Sequence, residues 1–132
     1  MNQIQTIGSW SISIEHIFKT KQNHDSWQAY DGDRFIYISA MSINDQNGKP
    51  MPAKSLSLIA KKKLINSNYS TIDFEKSELY GNAVIIKNGN GYQLKGFVCA
   101  LGSIATCLID FEIPEDAAWA RDTWESLSYS KC

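Results

Sequence analysis

One stretch, residues 82–112, constrains the fold more than any other part of the chain. It contains three apolar, β-branched or aromatic runs, NAVIIKN, YQLKGFVCA and IATCLIDFE. Such residues suit the pleated, half-buried surface of a β-sheet. The runs are separated by an NGNG sequence at 88–91 and an LGS sequence at 101–103, and these residue types favour tight turns. The stretch therefore predicts a three-stranded antiparallel meander that forms the core of a sheet.

The N-terminal part of the chain predicts further strands. Residues 10–14 (WSISI) alternate apolar and polar side chains, which is typical of a half-buried strand. Residues 26–30 and 34–43 flank a glycine-centred DGD sequence at 31–33, and this arrangement favours a β-hairpin. The second arm carries apolar groups on both faces, so we expect it to be central in the sheet or covered by a helix. We expect the polar residues 19–25 to form a loop.

Two segments have the spacing of amphipathic helices. The first follows Pro52 and ends in a lysine-rich turn, and the second begins at Pro114, which a first helical turn tolerates. The apolar stripe of the first helix consists of Leu56, Ile59, Ala60 and Leu64. The stripe of the second consists of Ile113, Ala117, Ala120, Trp124 and Leu127. We expect the second helix to pack on the sheet through its stripe.

The order of these elements predicts the fold class. Residues 72–79 are predicted to form a further strand, whose acidic side chains indicate a sheet edge or a solvated face. The short polar tail at 128–132 is expected to fray. The sequence thus predicts a single α+β domain over residues 1–132, with a mostly antiparallel sheet and two helices.

Composition excludes several classes of function. A net charge of −1 gives no general argument for nucleic-acid or membrane binding. The chain has neither a run of about 18 apolar residues nor a secretory signal pattern. An odd number of cysteines, three, fits a reducing compartment, and we expect Cys99 and Cys107 to be reduced and buried in neighbouring strands. We therefore expect a cytoplasmic bacterial protein that binds neither nucleic acid nor membrane.

The sequence contains no motif that is typical of a particular enzymatic reaction. His16 and His24 lack the spacing of metal ligands, and the DGD sequence at 31–33 lacks the further acids of a calcium loop. No nucleophile elbow of the GxSxG kind is present. We expect no catalytic residue, no metal and no cofactor. One alternative remains open, a small-molecule-binding protein or minor hydrolase with His16, His24 or Asp31 in a cleft between sheet and helix.

Charge is distributed unevenly along the chain. Residues 49–63 include five lysines and no acid, whereas residues 110–125 include six acids and one arginine. Both the lysines and the acids can be explained as the solvated face of a helix. For the acids there is a second explanation, a surface that binds a basic partner. Trp119 lies about 115° from the centre of the apolar stripe. It either packs beneath a loop or serves as a partly exposed anchor. The candidate partner-binding residues are Glu115, Asp116, Trp119, Asp122 and Glu125.

The pattern resembles the PsbP-like α+β fold. Residues 92–112 followed by AAWARDTWESL at 117–127, together with the early hairpin YDGDRFIYI, carry this resemblance. It implies a binding or assembly factor without a catalytic centre. The chain is also similar in kind to the small bacterial immunity proteins that neutralise toxins. Our leading hypothesis is a non-catalytic protein-binding module, an immunity protein that blocks a basic toxin domain. A PsbP-like assembly or stability factor is the alternative.

Overall fold

The computed structural model describes residues 2–15, 17–64 and 71–130. Within this part of the chain, ten strands, two α-helices and one 3₁₀ helix form a single small α+β domain. The first half contains β1 (Asn2–Gln5), β2 (Trp10–Ile14), β3 (Lys19–Gln22), β4 (Ser26–Tyr30), β5 (Phe35–Ser42) and α1 (Ala53–Leu64). The second half contains β6 (Ile72–Lys76), β7 (Leu79–Asn88), β8 (Gly91–Ala100), β9 (Ser103–Phe111), the 3₁₀ helix (Pro114–Asp116), α2 (Ala117–Glu125) and β10 (Ser128–Tyr129). No helix in these ranges is both long and apolar enough to cross a bilayer.

The predicted meander is confirmed and lies inside a seven-stranded antiparallel sheet. The strand order is β3-β4-β5-β9-β8-β7-β6, so the C-terminal end of the meander pairs with the predicted hairpin. At the centre, Ile109 pairs with both Ile36 and Leu94, and all three are fully buried. Gly89 and Gly102 adopt positive φ, +63° and +72°, at the two turns. The predicted edge strand is confirmed over Ile72–Lys76, because β6 ends the sheet order within the described residues. The prediction is wrong for its last three residues, because Ser77 and Glu78 turn with positive φ and Leu79 begins β7.

The prediction of a polar loop at 19–25 is wrong in part. Lys19–Gln22 forms the short strand β3, which pairs antiparallel with β4. All four side chains are exposed, so the segment lacks the apolar alternation by which strands are recognised in a sequence. The ladder with β4, rather than burial of side chains, holds it in place.

A second, three-stranded sheet has the order β1-β2-β10. Strand β1 was not anticipated, and the expectation that the tail frays is wrong for Ser128–Tyr129, which pairs with β2. The next residue continues this contact, because the N–H of Ser130 donates to the carbonyl of Ser9 at 2.9 Å. The last two residues of the predicted tail lie outside the described residues. The strand β10 could not be recognised locally, since only its tertiary partner β2 orders it.

The large sheet separates two apolar cores. On one face, the small sheet and α2 cover the sheet centre, and the largest fully buried side chains there include Trp10, Trp124, Ile12, Ile36, Ile38, Leu94 and Ile109. On the other face, α1 packs Leu56, Ala60 and Leu64 against a smaller cluster that includes Val84, Phe97 and Cys99. The C-terminal helix therefore packs on the sheet as expected, and Trp10, Trp27 and Trp124 are all core residues.

Two members of the predicted helical stripes lie outside these cores. Ile59 is 49% exposed, because α1 lies over β7 and β8 and buries only the narrower set of Leu56, Ala60 and Leu64. Ile113 is 50% exposed. Its backbone is extended, with φ −117° and ψ 143°, so it precedes the helical turns and does not follow the helical wheel.

Cys99 and Cys107 are free and buried, as expected. They occupy adjacent strands but opposite faces of the sheet, since Cys99 pairs with Ile104 while Cys107 pairs with Gly96. Cys99 belongs to the core beneath α1 and Cys107 to the core beneath α2. Burial raises the pKa of the Cys99 thiol to about 12 and also raises the pKa of Cys107. Because nucleophilic reactivity requires the thiolate, both thiols are expected to be inert.

This inertness can be measured in a Cys132→Ser variant, which leaves the two sheet cysteines alone. Iodoacetamide is expected to alkylate neither thiol in the native protein at pH 8, and both after unfolding in guanidinium. Mass spectrometry of timed samples reports the modification of each cysteine. Rapid native alkylation of either residue would show that its site is open to solvent.

Candidate functional site

The helix that carries the candidate acids is fixed to the sheet by a tryptophan lying over a glycine. Trp124 is fully buried, and a Cβ at Gly96 would come within 2.6 Å of its Nε1 atom, so glycine leaves the room that the ring occupies. Phe74 meets the ring edge-on, with centroids 4.8 Å apart. At the end of the helix, Lys76 Nζ donates to the carbonyl of Glu125 at 3.1 Å. The position of α2 is thus set by contacts with β6 and β8.

The beginning of α2 is held by a mixed aromatic and ionic group, here termed the Arg34 cluster: Glu15, Phe18, Asp31, Arg34 and Trp119. The Trp119 ring stacks parallel to Phe18, with centroids 5.8 Å apart. The Arg34 guanidinium lies 4.3 Å from the Trp119 centroid and 5.2 Å from that of Phe18. The same guanidinium forms ion pairs with Asp31 at 2.7 Å and Glu15 at 3.4 Å. The cluster joins the β4–β5 turn and the segment after β2 to α2.

Asp31 is the most constrained carboxylate of the cluster. Its Oδ1 accepts the backbone N–H groups of Asp33 at 3.2 Å and Arg34 at 2.8 Å, and its Oδ2 accepts Arg34 Nε at 2.8 Å. Burial by itself would raise the pKa of Asp31, but these hydrogen bonds and the guanidinium charge together hold its pKa below the ordinary value. Burial by itself would lower the pKa of Arg34. The hydrogen bond to Asp31 and the charges of the nearby carboxylates outweigh this effect and raise its pKa.

The lowered pKa of Asp31 predicts a pH-dependent contribution to stability. An ionised Asp31 stabilises the fold above the ordinary carboxyl pKa, and this stabilisation is lost as pH falls through the lower, folded-state pKa. Asp31→Asn should therefore lower the free energy of unfolding at pH 7, and the deficit should shrink as the pH falls below about 4, the ordinary carboxyl pKa. Urea melts of both proteins above and below this pH provide the measurement. A deficit independent of pH would show that the charge of Asp31 contributes nothing.

The structure places the candidate partner-binding acids on or just before α2, in different settings. Glu115 and Asp122 are exposed and form no ion pair within the described part of the chain. Glu125 pairs with Arg121 at 3.2 Å, an exposed contact one helical turn apart. Asp116 is half-buried, and its negative charge contributes to raising the pKa of Arg34. Two of the four acids are thus free for a partner, and the other two have neighbours of opposite charge.

Trp119 is half-buried and packs against the main core. Of the two hypotheses for this residue, packing beneath a loop describes its contacts, because Phe18 lies in the segment between β2 and β3. No sequence pattern indicates that Arg34 contacts Trp119, since the two residues are far apart along the chain. A role for Trp119 in binding stays a proposal.

Comparison with known proteins identifies the fold. No family model matches the chain, and no curated protein matches it. The solution structure of cyanobacterial PsbP (CyanoP) from Synechocystis sp. PCC 6803 is similar over 98% of this chain and 94% of its own, with a TM-score of 0.64 and 7% identity. The fold is PsbP-like. A 1.50 Å crystal structure from Bacteroides thetaiotaomicron VPI-5482 is also similar, with a TM-score of 0.62 and 14% identity.

Both similarities extend over almost the whole of this chain. The CyanoP chain is also matched over almost its whole length, but the Bacteroides chain is not. The match includes 93% of this chain and 46% of the Bacteroides chain, so this chain spans about half the length of that protein. At such low identity the likeness shows the fold alone. The PsbP-like arrangement expected from the order of elements is confirmed at this level.

The alternative catalytic hypothesis named His16, His24 and Asp31, of which the structure describes the last two. His16 lies outside the described residues, and His24 is exposed between β3 and β4. Asp31 is engaged by Arg34. Over the described ranges, no group of three or more histidine, cysteine or acidic side chains lies close enough to hold a metal ion.

Sequence reasoning missed an open cavity of about 540 Å³ beside the start of α1. Its wall is mainly apolar and includes Pro52, Leu79, Tyr80, Leu101 and Tyr129. The turn between β6 and β7 borders it, and both residues of that turn, Ser77 and Glu78, have positive φ. No local sequence pattern predicts such a cavity, because its walls come from four separate segments of the chain.

Proposed function

We propose that this protein is a non-catalytic protein-binding module whose α2 surface docks a basic partner. The proposed surface consists of Glu115, Asp116, Asp122 and Glu125, bordered by Trp119. One observation carries the proposal: Glu115 and Asp122 are exposed carboxylates without an ion-pair partner among the described residues. Glu115 lies in the 3₁₀ helix and Asp122 in α2, which is held near its start by Arg34 and at its end by Lys76. Unpaired charges on a rigid surface attract a partner of opposite charge and orient its approach.

The finer proposal is an immunity protein that blocks a toxin, with a PsbP-like assembly or stability factor as the alternative. Both are non-catalytic binding functions, and the PsbP-like fold supports the alternative to a modest degree, since it is a likeness of fold alone. The two differ in what the partner does. Growth rescue on co-expression with a toxic partner supports immunity, whereas a non-toxic partner that is degraded without this protein supports the assembly role.

The experiment that tests the docking surface is affinity capture with matched baits. Wild-type protein should retain one stoichiometric basic partner from native lysate, and E115K/D122K should lose it. The control E75K/E78K makes the same change in charge at exposed positions on β6 and the following turn, and should retain the partner. Loss from both variants would assign the effect to net charge, and retention by both would place the interface elsewhere.

The rate constants should show the same distinction once the partner is captured. E115K/D122K is expected to slow association by about tenfold and to weaken its salt dependence, because exposed interface charges act chiefly on the approach of the partner. Dissociation should change less. Surface plasmon resonance at several salt concentrations measures both quantities. Equal association rates for wild type and variant would contradict the proposal.

The cavity beside α1 favours a second candidate function, binding of a small molecule. Its volume of about 540 Å³ and mainly apolar wall are typical of ligand sites. A fragment screen followed by amide chemical shifts is the test. Saturable shifts confined to residues such as Leu101 and Tyr129 would support this function, and shifts elsewhere would contradict it.

A further inference from the structure

The outer strand β3 borders an open part of the large sheet. Its residues Lys19 and Lys21 pair with Tyr30 and Gln28, and paired residues point to the same face. This is the face on which α1 covers β7 and β8 but not β3 or β4. On this face, the strands farthest from α1, which are β3, β4, β5 and β9, therefore form a half-exposed surface next to the two lysines.

Two adjoining hollows form a groove on this surface. The larger, about 410 Å³, is lined by residues of β3, β4 and β5 that include Lys21 and Phe35. The smaller, about 210 Å³, is lined by Ile17 and by the β4–β5 turn. Lys19 and Tyr30 line both. Ile17 and Tyr30 are 65% and 52% exposed, so the groove offers apolar as well as cationic contacts.

The positive charge of this groove is not neutralised within the described residues. Lys19 and Lys21 form no ion pair there. The acid that lines the groove, Asp31, is bound to Arg34, and its side chain is 8% exposed. An occupant that supplies carboxylates would complete the charge balance.

The backbone of β3 supplies a second mode of recognition. Within the described chain β3 pairs with β4 alone, so its other edge has N–H and C=O groups available for an added strand. Lysines on such an edge disfavour pairing with neutral or basic strands. The same lysines favour a strand whose carboxylates lie opposite them.

We propose that the β3 edge and its groove bind an extended acidic protein segment by β-strand addition. The segment carries carboxylates at two positions spaced two residues apart, opposite Lys19 and Lys21, and an apolar side chain beside Ile17 and Tyr30. This inference rests on the proposed protein-binding function but uses a surface distinct from α2. The two surfaces would let the protein contact partners of opposite charge.

The test uses a synthetic eight-residue peptide labelled for fluorescence anisotropy, with glutamate at positions 2 and 4, tyrosine at position 6 and threonine elsewhere, so that the glutamates and the tyrosine lie on one face of the strand. Saturable binding to wild type is expected, with affinity reduced at least about fivefold by K19E/K21E, since each cross-strand charge pair becomes repulsive. The control K62E/K63E reverses two exposed lysines of α1 and should bind as wild type. A peptide N-methylated at two adjacent central residues should not bind, because neither of its edges can then complete the ladder with β3. Unchanged melting temperatures would show that the variants fold.

Other outcomes would overturn the proposal. Equal binding by wild type and K19E/K21E, or by the N-methylated peptide, would exclude strand addition at β3. Stronger binding of oligothymidylate than of the peptide would assign the groove to nucleic acid. Self-association that K19E/K21E abolishes would assign it to a second copy, because β6 carries Asp73 and Glu75 at the same spacing. The peptide assay needs no natural partner, so its failure leaves the capture experiment on α2 unaffected, and the reverse also holds.

Discussion

Replacing Trp124 with alanine is expected to lower the free energy of unfolding by about 3–5 kcal/mol, the usual cost of truncating a large buried aromatic side chain. The ring is fully buried, contacts Phe74 edge-on and occupies the space above Gly96. The surrounding strands belong to a continuous sheet, so they cannot collapse into the cavity that alanine would leave. Denaturant melts at equal slope give the measurement. A loss below about 1 kcal/mol would contradict the central position of this residue.

The fit between the tryptophan and the glycine supplies a matched variant. Gly96→Ala leaves the indole in place but sets a Cβ within 2.6 Å of its Nε1 atom, which must then move. A cost of about 1–3 kcal/mol is expected for such overpacking. In the Trp124→Ala background the same glycine substitution should cost less, because the two nearest atoms belong to the indole and only the Cβ of Ala83, at 3.0 Å, stays close. Equal costs in both backgrounds would show that Gly96 acts independently of Trp124.

Replacing Arg34 with methionine is expected to destabilise the protein by about 2–4 kcal/mol, since removing one member of a largely buried ion pair leaves the other charge unpaired. The side chains of Arg34 and Asp31 are 17% and 8% exposed. Methionine retains part of the packing against Phe18 and Trp119 but removes the charge and the hydrogen bonds. The expected loss therefore reports chiefly on the ionic part of the Arg34 cluster.

Arg121→Met provides the control for this substitution. Arg121 also pairs with a carboxylate, that of Glu125, but its side chain is 51% exposed. Exposed helical pairs contribute about 0.3–0.5 kcal/mol, so the control should be nearly neutral. Urea melts of both variants at pH 7 decide the comparison. Similar losses in the two proteins would show that burial does not distinguish the pairs.

Much of the fold was determined by local sequence pattern. The alternating WSISI segment, the hairpin around residues 31–33, the meander at 82–112 and both helices occur where the residues predicted them. Each has an apolar periodicity that only one type of element satisfies, and glycine lies at the turns. The buried positions of Trp10 and Trp124 follow from the same periodicity. The predicted features are those whose free energy comes from burying one face of an element.

The features that only the tertiary structure decided have no apolar periodicity in the sequence. Strand β3 is fully exposed and strand β10 has two residues, so only the ladders with β4 and β2 define them. The setting of Trp119 depends on Arg34, a residue of another element whose position no periodicity along α2 reveals. The groove beside β3 likewise arises because α1 covers β7 and β8 and leaves the other strands open. Backbone pairing and distant charge pairs depend on which segments meet in space, and spacing along one segment does not contain that information.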